Sequence, residues 1–253
     1  MIVIVSNSKM STIPTNIIDE EEIWSFMHCP VQYDLSYVRK IIPKKVPTQV
    51  DHIKEAAQYF FANLMDGNLL PMSALKKKWD QICNENPEIT MIKSNDGLGK
   101  LYKLYEWARR NQLVVLDLNV PYALLFPVDK NTSYDVRGCI PMICLTSDRI
   151  PVLLYFDFGD RATVQERVDL NMKYTMQAYA YRMQTRKNIG IHVHNIKFDS
   201  DFFSMRGQQD FLRLHRTIIS IGYSISHKLI YPKDGPLCLS CYALHACKGW
   251  GVQ

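Results

Sequence analysis

Residues 134–158 read YDVRGCIPMICLTSDRIPVLLYFDF, and this stretch decides the predicted fold. It contains two apolar runs, at 134–145 and 150–158, with turn-forming residues between them. Short runs of β-branched, leucine and aromatic residues between turn residues are typical of β-strands. Two similar runs come before it, QLVVLDLNV at 112–120 and YALLF at 122–126. The sequence therefore predicts three or four adjoining strands in this part of the chain.

Helical patterns lie on both sides of these strands. The acidic turn at 19–22 predicts a short helix that Pro30 ends, because acidic residues favour a helix N-terminus and proline stops a helix. Periodicity predicts the other elements: helices at 50–65, 72–83, 98–110 and 164–184, a strand at 189–198, and a helix over 207–221. This order predicts one α/β domain with a mixed central sheet flanked by helices.

The composition is that of an ordinary globular protein. Of the 253 residues, 47% are hydrophobic and 22% charged, which excludes a disordered or fibrous chain. No apolar run approaches the length of about 20 residues that a membrane helix needs. The opening MIVIVSNSKM lacks the basic flank of a secretory signal, so we expect an intracellular, reducing compartment, the cytoplasm or the nucleoid. The net charge of +5 permits a polyanionic partner.

The seven cysteines favour reduced thiols or a metal site over a disulfide framework. Cys238, Cys241 and Cys247 form a C-x2-C-x5-C motif, and Cys29 in the segment SFMHCPVQY is the best candidate for a fourth ligand. Four thiolates suit either tetrahedral zinc or a [4Fe–4S] cluster. His245 could replace one cysteine in a zinc site or simply lie on the surface. The remaining cysteines lie in apolar patterns and are predicted to be core residues: Cys83, Cys139 and Cys144.

The cysteine pattern resembles that of a known group of nucleases. The N-terminal motif S-x-x-x-C-P-x-x-Y, formed by Ser25, Cys29, Pro30 and Tyr33, is combined with the C-terminal C-x2-C-x5-C. This combination is similar to the iron–sulfur branch of the RecB-like PD-(D/E)XK nucleases, which includes the CRISPR-associated RecB-like exonucleases and the nuclease domain of AddB. The resemblance spans roughly residues 19–250. It implies a [4Fe–4S] cluster on the four cysteines that joins the chain ends beside the nuclease core.

The resemblance also implies a domain organisation. We expect a lead-in over 1–18 and a single RecB-like PD-(D/E)XK domain over 19–253. The parts expected within that domain are a helical part at 19–111, a sheet core at 112–230 and a cluster-binding tail at 236–253.

The nuclease motifs of this family are only partly present. Family members carry a His in an early helix, a G-x-I-D strand, a D/E-x-K strand and a Q-x-x-x-Y helix. The matching segments here are His52 with Glu55, Gly138–Pro141, Asp157–Gly159 and Gln177–Tyr181. Pro141 therefore stands where the family has a metal-binding Asp, and Gly159 where it has a Lys. The resemblance implies a vestigial site with no confident catalytic residue, made of His52, Asp157, Gln177 and Tyr181.

The loss of these residues affects the chemistry of the predicted centre. In this nuclease class, carboxylates hold the divalent cation that polarises the scissile phosphate, and a Lys positions or activates water. One carboxylate and one imidazole make a poor magnesium site, because Mg²⁺ prefers several hard oxygen ligands. We therefore expect Mg²⁺ or Mn²⁺ only if other carboxylates take over the role: Asp135, Asp148 or Asp160.

Several of these residues also have ordinary structural explanations. Asp157 could be the polar end of a strand. Gln177 and Tyr181, four residues apart on a helix, could form hydrogen bonds in the core. His192 and His194 share one face of a predicted strand, which suggests either a metal pair or solvent-facing alternation.

The favoured function is DNA binding, or scaffolding within a replication, recombination or transcription complex, by an inactive nuclease homologue. The expected ligand is single-stranded DNA or a junction, and no membrane is expected. Basic residues on or near the helix at 164–184 could contact phosphates: Arg161, Arg167, Lys173, Arg182, Arg186 and Lys187. Two alternatives remain, an active metal-dependent exonuclease or endonuclease with relocated ligands, and a protein-interaction subunit without DNA binding.

Overall fold

The computed structural model describes residues 15–43, 47–130, 132–146, 148–235, 238 and 241–250. These residues belong to two compact units. The terminal unit consists of the described residues of Met1–Val46, Pro121–Gly138 and Gln208–Gln253, and the central unit of those of Pro47–Val120 and Cys139–Gly207. The predicted single-domain boundary at 19–253 stays a prediction.

The helices and strands follow one another along the chain in a mixed α/β order. The first half contains β1 Thr15–Asp19, α1 Glu20–His28, α2 Pro30–Tyr33, a π-helical turn Asp34–Val38, α3 Gln49–Met65, α4 Met72–Glu85, α5 Met91–Arg110 and β2 Val114–Pro127. The second half contains β3 Ser133–Leu145, β4 Pro151–Asp157, α6 Gln165–Asp169, α7 Met172–Thr185, β5 Gly190–Asn195, β6 Ser200–Met205, α8 Gln208–Ser226 and α9 Leu244–Lys248.

The strands form a mixed sheet. In the central unit, β3 pairs antiparallel with β4, β4 pairs parallel with β5, and β5 pairs antiparallel with β6. The register places His192 beside Leu154 on one side, and His194 beside Asp201 on the other. In the terminal unit, β1 pairs parallel with the first part of β3. β2 also pairs with β3.

A large apolar core holds the central unit together. The helices α3, α4 and α5 pack on one another, and their buried side chains join those of β4 in one cluster that includes Phe60, Trp79, Leu101, Leu104 and Leu154. α3 begins with a capping box, in which Asp51 accepts hydrogen bonds from the backbone and side chain of Thr48. This cap fixes the start of the helix that carries His52.

The terminal unit has its own buried contacts. α1 packs against α8, with Ile23, Phe26, Leu214 and Ile218 buried. A Cβ atom at Gly138 would lie 2.5 Å from Glu20 Oε2 and 2.6 Å from the Tyr122 hydroxyl. The glycine of the predicted G-x-I-D motif is therefore required here by close packing.

Most predicted elements are present, with some differences. The two runs at 112–120 and 122–126 form one strand, β2, and the predicted lead-in ends in β1. The predicted helix at 164–184 is two helices, because Asn171 caps α7 by accepting a hydrogen bond from the backbone N–H of Tyr174 at 3.2 Å. β6 was not predicted. The prediction of Cys139 as a core residue is wrong, since its side chain is exposed, whereas Cys144 is buried.

Candidate functional site

Cys29 lies at the junction of two helices in the terminal unit. Its backbone N–H donates to the carbonyl of Ser25 at 2.9 Å and so ends α1, while Pro30 begins α2. Proline suits the first position of a helix because it has no N–H to leave unpaired. The sequence Cys-Pro therefore fixes the thiol at a sharp change of direction in the chain.

The C-terminal tail packs on this junction. Val31, Leu35 and Ala243 form a small buried cluster, and the side chains that pack against it include those of Cys29, Cys241 and Cys247. Hydrogen bonds connect the same two segments: Trp250 Nε1 to Asp34 Oδ2 at 3.0 Å, and Gln32 Nε2 to the Tyr242 hydroxyl at 2.9 Å. The packing thus brings the N-terminal cysteine to the C-terminal motif.

The electrostatics of Cys247 depend on the other three cysteines. Burial raises the pKa of the Cys247 thiol, and the negative charges of Cys29, Cys241 and Cys238 raise it further. Thiolates suit zinc or iron–sulfur clusters, so the donor set fits the predicted metal. Nevertheless, within the described ranges no three His, Cys, Asp or Glu side chains are arranged to hold a metal ion. His245 is exposed on α9.

Asp157 lies at the end of β4 in the central unit, where its carboxylate organises the following loop. Oδ1 accepts the backbone N–H of Gly159 at 2.8 Å. Oδ2 accepts the Thr163 hydroxyl at 2.5 Å and the Asn195 amide at 3.2 Å. The Asn195 amide also donates to the carbonyl of Arg161 at 3.3 Å. The carboxylate therefore fixes residues 159–163 through hydrogen bonds.

Glycine at position 159 has a steric explanation. A Cβ atom there would lie 2.9 Å from Asp157 Oδ1, closer than such atoms normally approach. Any side chain at position 159 would displace the carboxylate from its hydrogen bond to the backbone. The local geometry around Asp157 therefore favours glycine at position 159.

The side chain of Gln177 is buried in the central unit and forms hydrogen bonds to two strands. Its Oε1 accepts a hydrogen bond from the Tyr155 hydroxyl on β4, and its Nε2 donates to the carbonyl of Cys139 on β3 at 3.1 Å. Tyr181, one turn further along α7, is half-buried. The Gln177 amide thus connects α7 to two strands.

His52 does not join Asp157. It is buried on α3, and its Nε2 atom lies 3.5 Å from Glu88 Oε1 without a hydrogen-bond partner among the described residues. The cavity that contains Asp157 is not lined by His52. Of the predicted vestigial set, Asp157 is the member that lines this cavity, while Gln177 is buried beside it in the core.

The cavity beside Asp157 has a volume of about 570 Å³. Its wall consists of the loop after β4, α6 and the start of α7, including Arg161, Arg167 and Tyr174. Asp160, one of the predicted replacement ligands, also lines it. Asp160 pairs with Lys100 at 3.2 Å and Lys197 at 3.4 Å. The hydrogen bond from Lys100 and its positive charge lower the pKa of Asp160.

The other two replacement candidates lie elsewhere. Asp135 is in the terminal unit and pairs with Arg137 at 2.8 Å. Asp148 lines a second cavity of the central unit, of about 790 Å³, whose wall also includes Trp107, His192 and Lys187. Only Asp160 therefore shares a cavity with Asp157 among these candidates.

The histidines of β5 are not solvent-facing. His192 Nε2 lies 2.6 Å and His194 Nδ1 2.9 Å from the same oxygen, Asp201 Oδ1. Both histidines are buried, and the ring centroids of His194 and Trp107 are 4.7 Å apart. Burial lowers the pKa of His194, although the hydrogen bond to Asp201 acts in the opposite direction.

The residues predicted to contact DNA fall into two groups, of which one lines the cavity of Asp157 and the other lies outside it. Lys173 is half-buried on α7, while Arg182, Arg186 and Lys187 are exposed at or after its C-terminal end. Arg161 and Arg167 are exposed and line the cavity. The sequence did not single out Tyr174, Thr163 or Asn195, whose partners lie on other elements.

The comparisons with known proteins identify the class of fold. No family model and no curated protein matches the chain. The crystal structure of a "Putative exonuclease" from Eubacterium rectale is similar, with a TM-score of 0.51 and 9% identity over 91% of this chain and 87% of that one. The crystal structure of SSO0001 gives a TM-score of 0.35 and 11% identity over 78% of this chain and 92% of that one. The likeness to the first of these two structures shows that the chain has a nuclease-like α/β fold.

Across the described part of the chain, the helices are too short or too polar to span a bilayer.

Proposed function

We propose that this chain is a catalytically inactive RecB-like nuclease homologue that binds DNA, single-stranded or at a junction. It would act in a replication, recombination or transcription complex, in an intracellular, reducing compartment. Its ends would be joined by a [4Fe–4S] cluster on Cys29, Cys238, Cys241 and Cys247. The nuclease-like fold supports the proposal at the level of architecture. The arrangement around Asp157 supports the loss of catalysis.

The hydrogen bonds of Asp157 carry the argument for inactivity. A catalytic carboxylate in this class must offer its oxygens to a divalent cation. Here both oxygens accept hydrogen bonds from the loop and from β5, and Gly159 leaves no side chain to activate water. Asp160 is held in ion pairs by Lys100 and Lys197. These partners compete with any metal ion for the same oxygens.

The packing of Cys29 beside two cysteines of the C-terminal motif supports the proposed metal centre. Cys29, Cys241 and Cys247 pack against the same small apolar cluster, and Cys238 is close enough to influence the Cys247 thiol. When bound, the metal centre would act as a structural cross-link between the two chain segments. The apolar contacts and the hydrogen bond from Trp250 to Asp34 hold the same segments together independently.

Cleavage of DNA is the first test. Single-stranded, duplex and junction DNA are incubated with purified protein in Mg²⁺ or Mn²⁺. We expect no products above those of a matched Asp157→Ala sample. Cleavage that depends on the divalent ion and disappears in Asp157→Ala would instead establish the active-nuclease alternative.

Metal analysis tests the cluster. After anaerobic purification we expect a brown protein with about four iron atoms per chain. Cys241→Ser should lose the metal and unfold more easily, since the cluster closes a long loop of chain. Cys139→Ser is the matched control, because that thiol is exposed and outside the C-terminal motif. Stoichiometric zinc without iron would contradict the iron–sulfur assignment.

DNA binding is measured over a salt series. Contacts to phosphates predict an affinity that depends weakly on sequence and decreases steeply with salt. No binding by folded protein at low ionic strength would favour the protein-interaction alternative.

A further inference from the structure

The cavity beside Asp157 has the chemistry of an anion site. We propose that it binds a phosphate group of nucleic acid without a metal ion, through Arg161 and Arg167, with the Tyr174 hydroxyl as a further donor. This inference rests on the proposed function, because it assigns the place where the inactive nuclease fold holds its DNA.

The loop after β4 and the helix α6 each contribute one arginine to the wall of the cavity. Asp157 and Asn195 fix the loop that carries Arg161 through the hydrogen bonds to Gly159, Thr163 and the Arg161 carbonyl. Arg167 lies on α6, which begins directly after this loop. Neither guanidinium forms an ion pair or hydrogen bond with another described residue. Both are therefore available to a ligand.

Tyr174 adds a neutral donor. The cap by Asn171 starts α7 so that Tyr174 lies in its first turn and lines the cavity. Burial raises the pKa of Tyr174 to about 12, and the nearby charge of Asp157 acts in the same direction. The phenol therefore remains protonated at neutral pH, and its hydroxyl can donate to a phosphate oxygen.

The surrounding charges favour an anion. The carboxylate of Asp157 is shielded by three hydrogen bonds, and that of Asp160 is paired with Lys100 and Lys197. The buried guanidinium of Arg206 donates to the carbonyl of Val168, which lines the cavity, at 2.6 Å. The positive charge of Arg206 also acts on Tyr174. The cavity wall thus carries two arginines without an ion-pair partner among the described residues, while its two carboxylates are already bound by protein groups.

The size and the donors together indicate a phosphate with its attached nucleoside. A volume of about 570 Å³ is within the range of small-ligand sites. One guanidinium group can bind two phosphate oxygens at once, and it keeps its charge at any physiological pH. In a metal-dependent nuclease a divalent cation supplies this positive charge. Here the arginines supply it, so binding should not require Mg²⁺.

The phosphate could be a terminal monoester or an internal phosphodiester of the DNA strand. Both have at least two non-bridging oxygens that can accept hydrogen bonds from the two guanidinium groups. Fluorescent single-stranded DNA with a 5′-phosphate and the same strand with a 5′-hydroxyl distinguish them. Tighter binding of the phosphorylated strand identifies an end site, and equal binding identifies an internal phosphate.

The test compares two double variants of the full-length protein. Arg161→Ala with Arg167→Ala removes the cavity pair, and Arg182→Ala with Arg186→Ala removes an exposed pair outside it. We expect the cavity variant to bind each strand on the order of tenfold more weakly in EDTA, with unchanged thermal stability. Its log–log salt slope should be shallower by about 0.7, the value for one phosphate on a single strand.

Three results would overturn the inference. If the cavity variant binds like wild type while the exposed variant is weaker, the phosphate site is elsewhere and the proposed DNA binding stands. If wild-type binding needs Mg²⁺, the metal-free mechanism is wrong. If the folded wild type binds no DNA at low salt, the proposed function fails together with this inference. Tyr174→Phe, which removes only the hydroxyl, should weaken binding by a smaller factor.

Discussion

Replacement of Asp157 by alanine tests whether its carboxylate has a structural or a catalytic role. In the structure this side chain accepts hydrogen bonds from Gly159, Thr163 and Asn195. If Asp157 stabilises the loop after β4, its removal must destabilise the central unit. A carboxylate kept free for a metal ion would have no such effect on stability.

The expected magnitude follows from the partners that lose their acceptor. A hydrogen bond to a charged group contributes about 1.5–3 kcal/mol, and a buried donor left unpaired costs a similar amount. Asn195 is fully buried, but its amide keeps hydrogen bonds to Thr163 and the carbonyl of Arg161. Thr163 is only half-buried, so water can replace part of the hydrogen bonding that its hydroxyl loses. We therefore expect Asp157→Ala to reduce the free energy of unfolding by about 3 kcal/mol.

Urea unfolding can report on the central unit alone. Trp79 and Trp107 belong to this unit, while Trp24 and Trp250 belong to the terminal unit. Trp24 and Trp250 are therefore replaced by phenylalanine in both the parent and the Asp157→Ala variant. The remaining fluorescence then comes from Trp79 and Trp107 alone. With a slope of about 2 kcal/mol per molar urea, the midpoint of Asp157→Ala should decrease by about 1.5 M.

The neighbouring carboxylate provides the control. Asp160 is exposed, and its buried partner Lys100 keeps a second ion pair with Asp96 at 2.9 Å, so Asp160→Ala should change the free energy of unfolding by less than about 1 kcal/mol. A midpoint for Asp157→Ala equal to or above that of the parent would refute the structural role of Asp157. It would also remove the main support for an inactive centre.

Two further predictions concern buried polar groups of the central unit. Gln177→Leu should reduce the free energy of unfolding by about 2–3 kcal/mol, since it leaves the Tyr155 hydroxyl and the Cys139 carbonyl unpaired; an unchanged urea midpoint would contradict this. Burial lowers the pKa of His194, so its contribution to stability is complete above the unfolded pKa of about 6.5 and is lost as the pH falls toward the lower folded value. His194→Gln should therefore show a flatter decrease of melting temperature between about pH 7 and about pH 5 than wild type, and parallel curves would refute the assignment.

The sequence predicted elements whose signals are local. The acidic turn and Pro30 defined α1, and the helical periodicity ending at Asp66-Gly67 defined α3. The single predicted helix at 164–184 failed because apolar spacing continues through Asn171, where a side-chain cap starts a new helix. β6 was missed because it has only six residues of mixed polarity, and pairing with β5 rather than its own pattern stabilises it.

The candidate sites differ in how much of them the sequence could reveal. Cys29 was predicted to join the C-terminal motif; the two segments pack on one apolar cluster, and the metal site itself stays a prediction. The network of Asp157 was not predicted, since its partner Asn195 is 38 residues away and nothing in its local sequence indicates the contact. For the same reason His192 and His194 gave no sign of their shared partner, Asp201.

The two roles assigned to the Asp157 region can be separated by combining variants. The carboxylate fixes the loop, and the loop places Arg161 at the cavity. Asp157→Ala should therefore lower both stability and DNA affinity, the second only because Arg161 loses its position. Arg161→Ala with Arg167→Ala should lower affinity alone. If the cavity binds phosphate as proposed, adding Asp157→Ala to that double variant should cause little further loss of affinity, since its effect on binding acts through an arginine that is already absent.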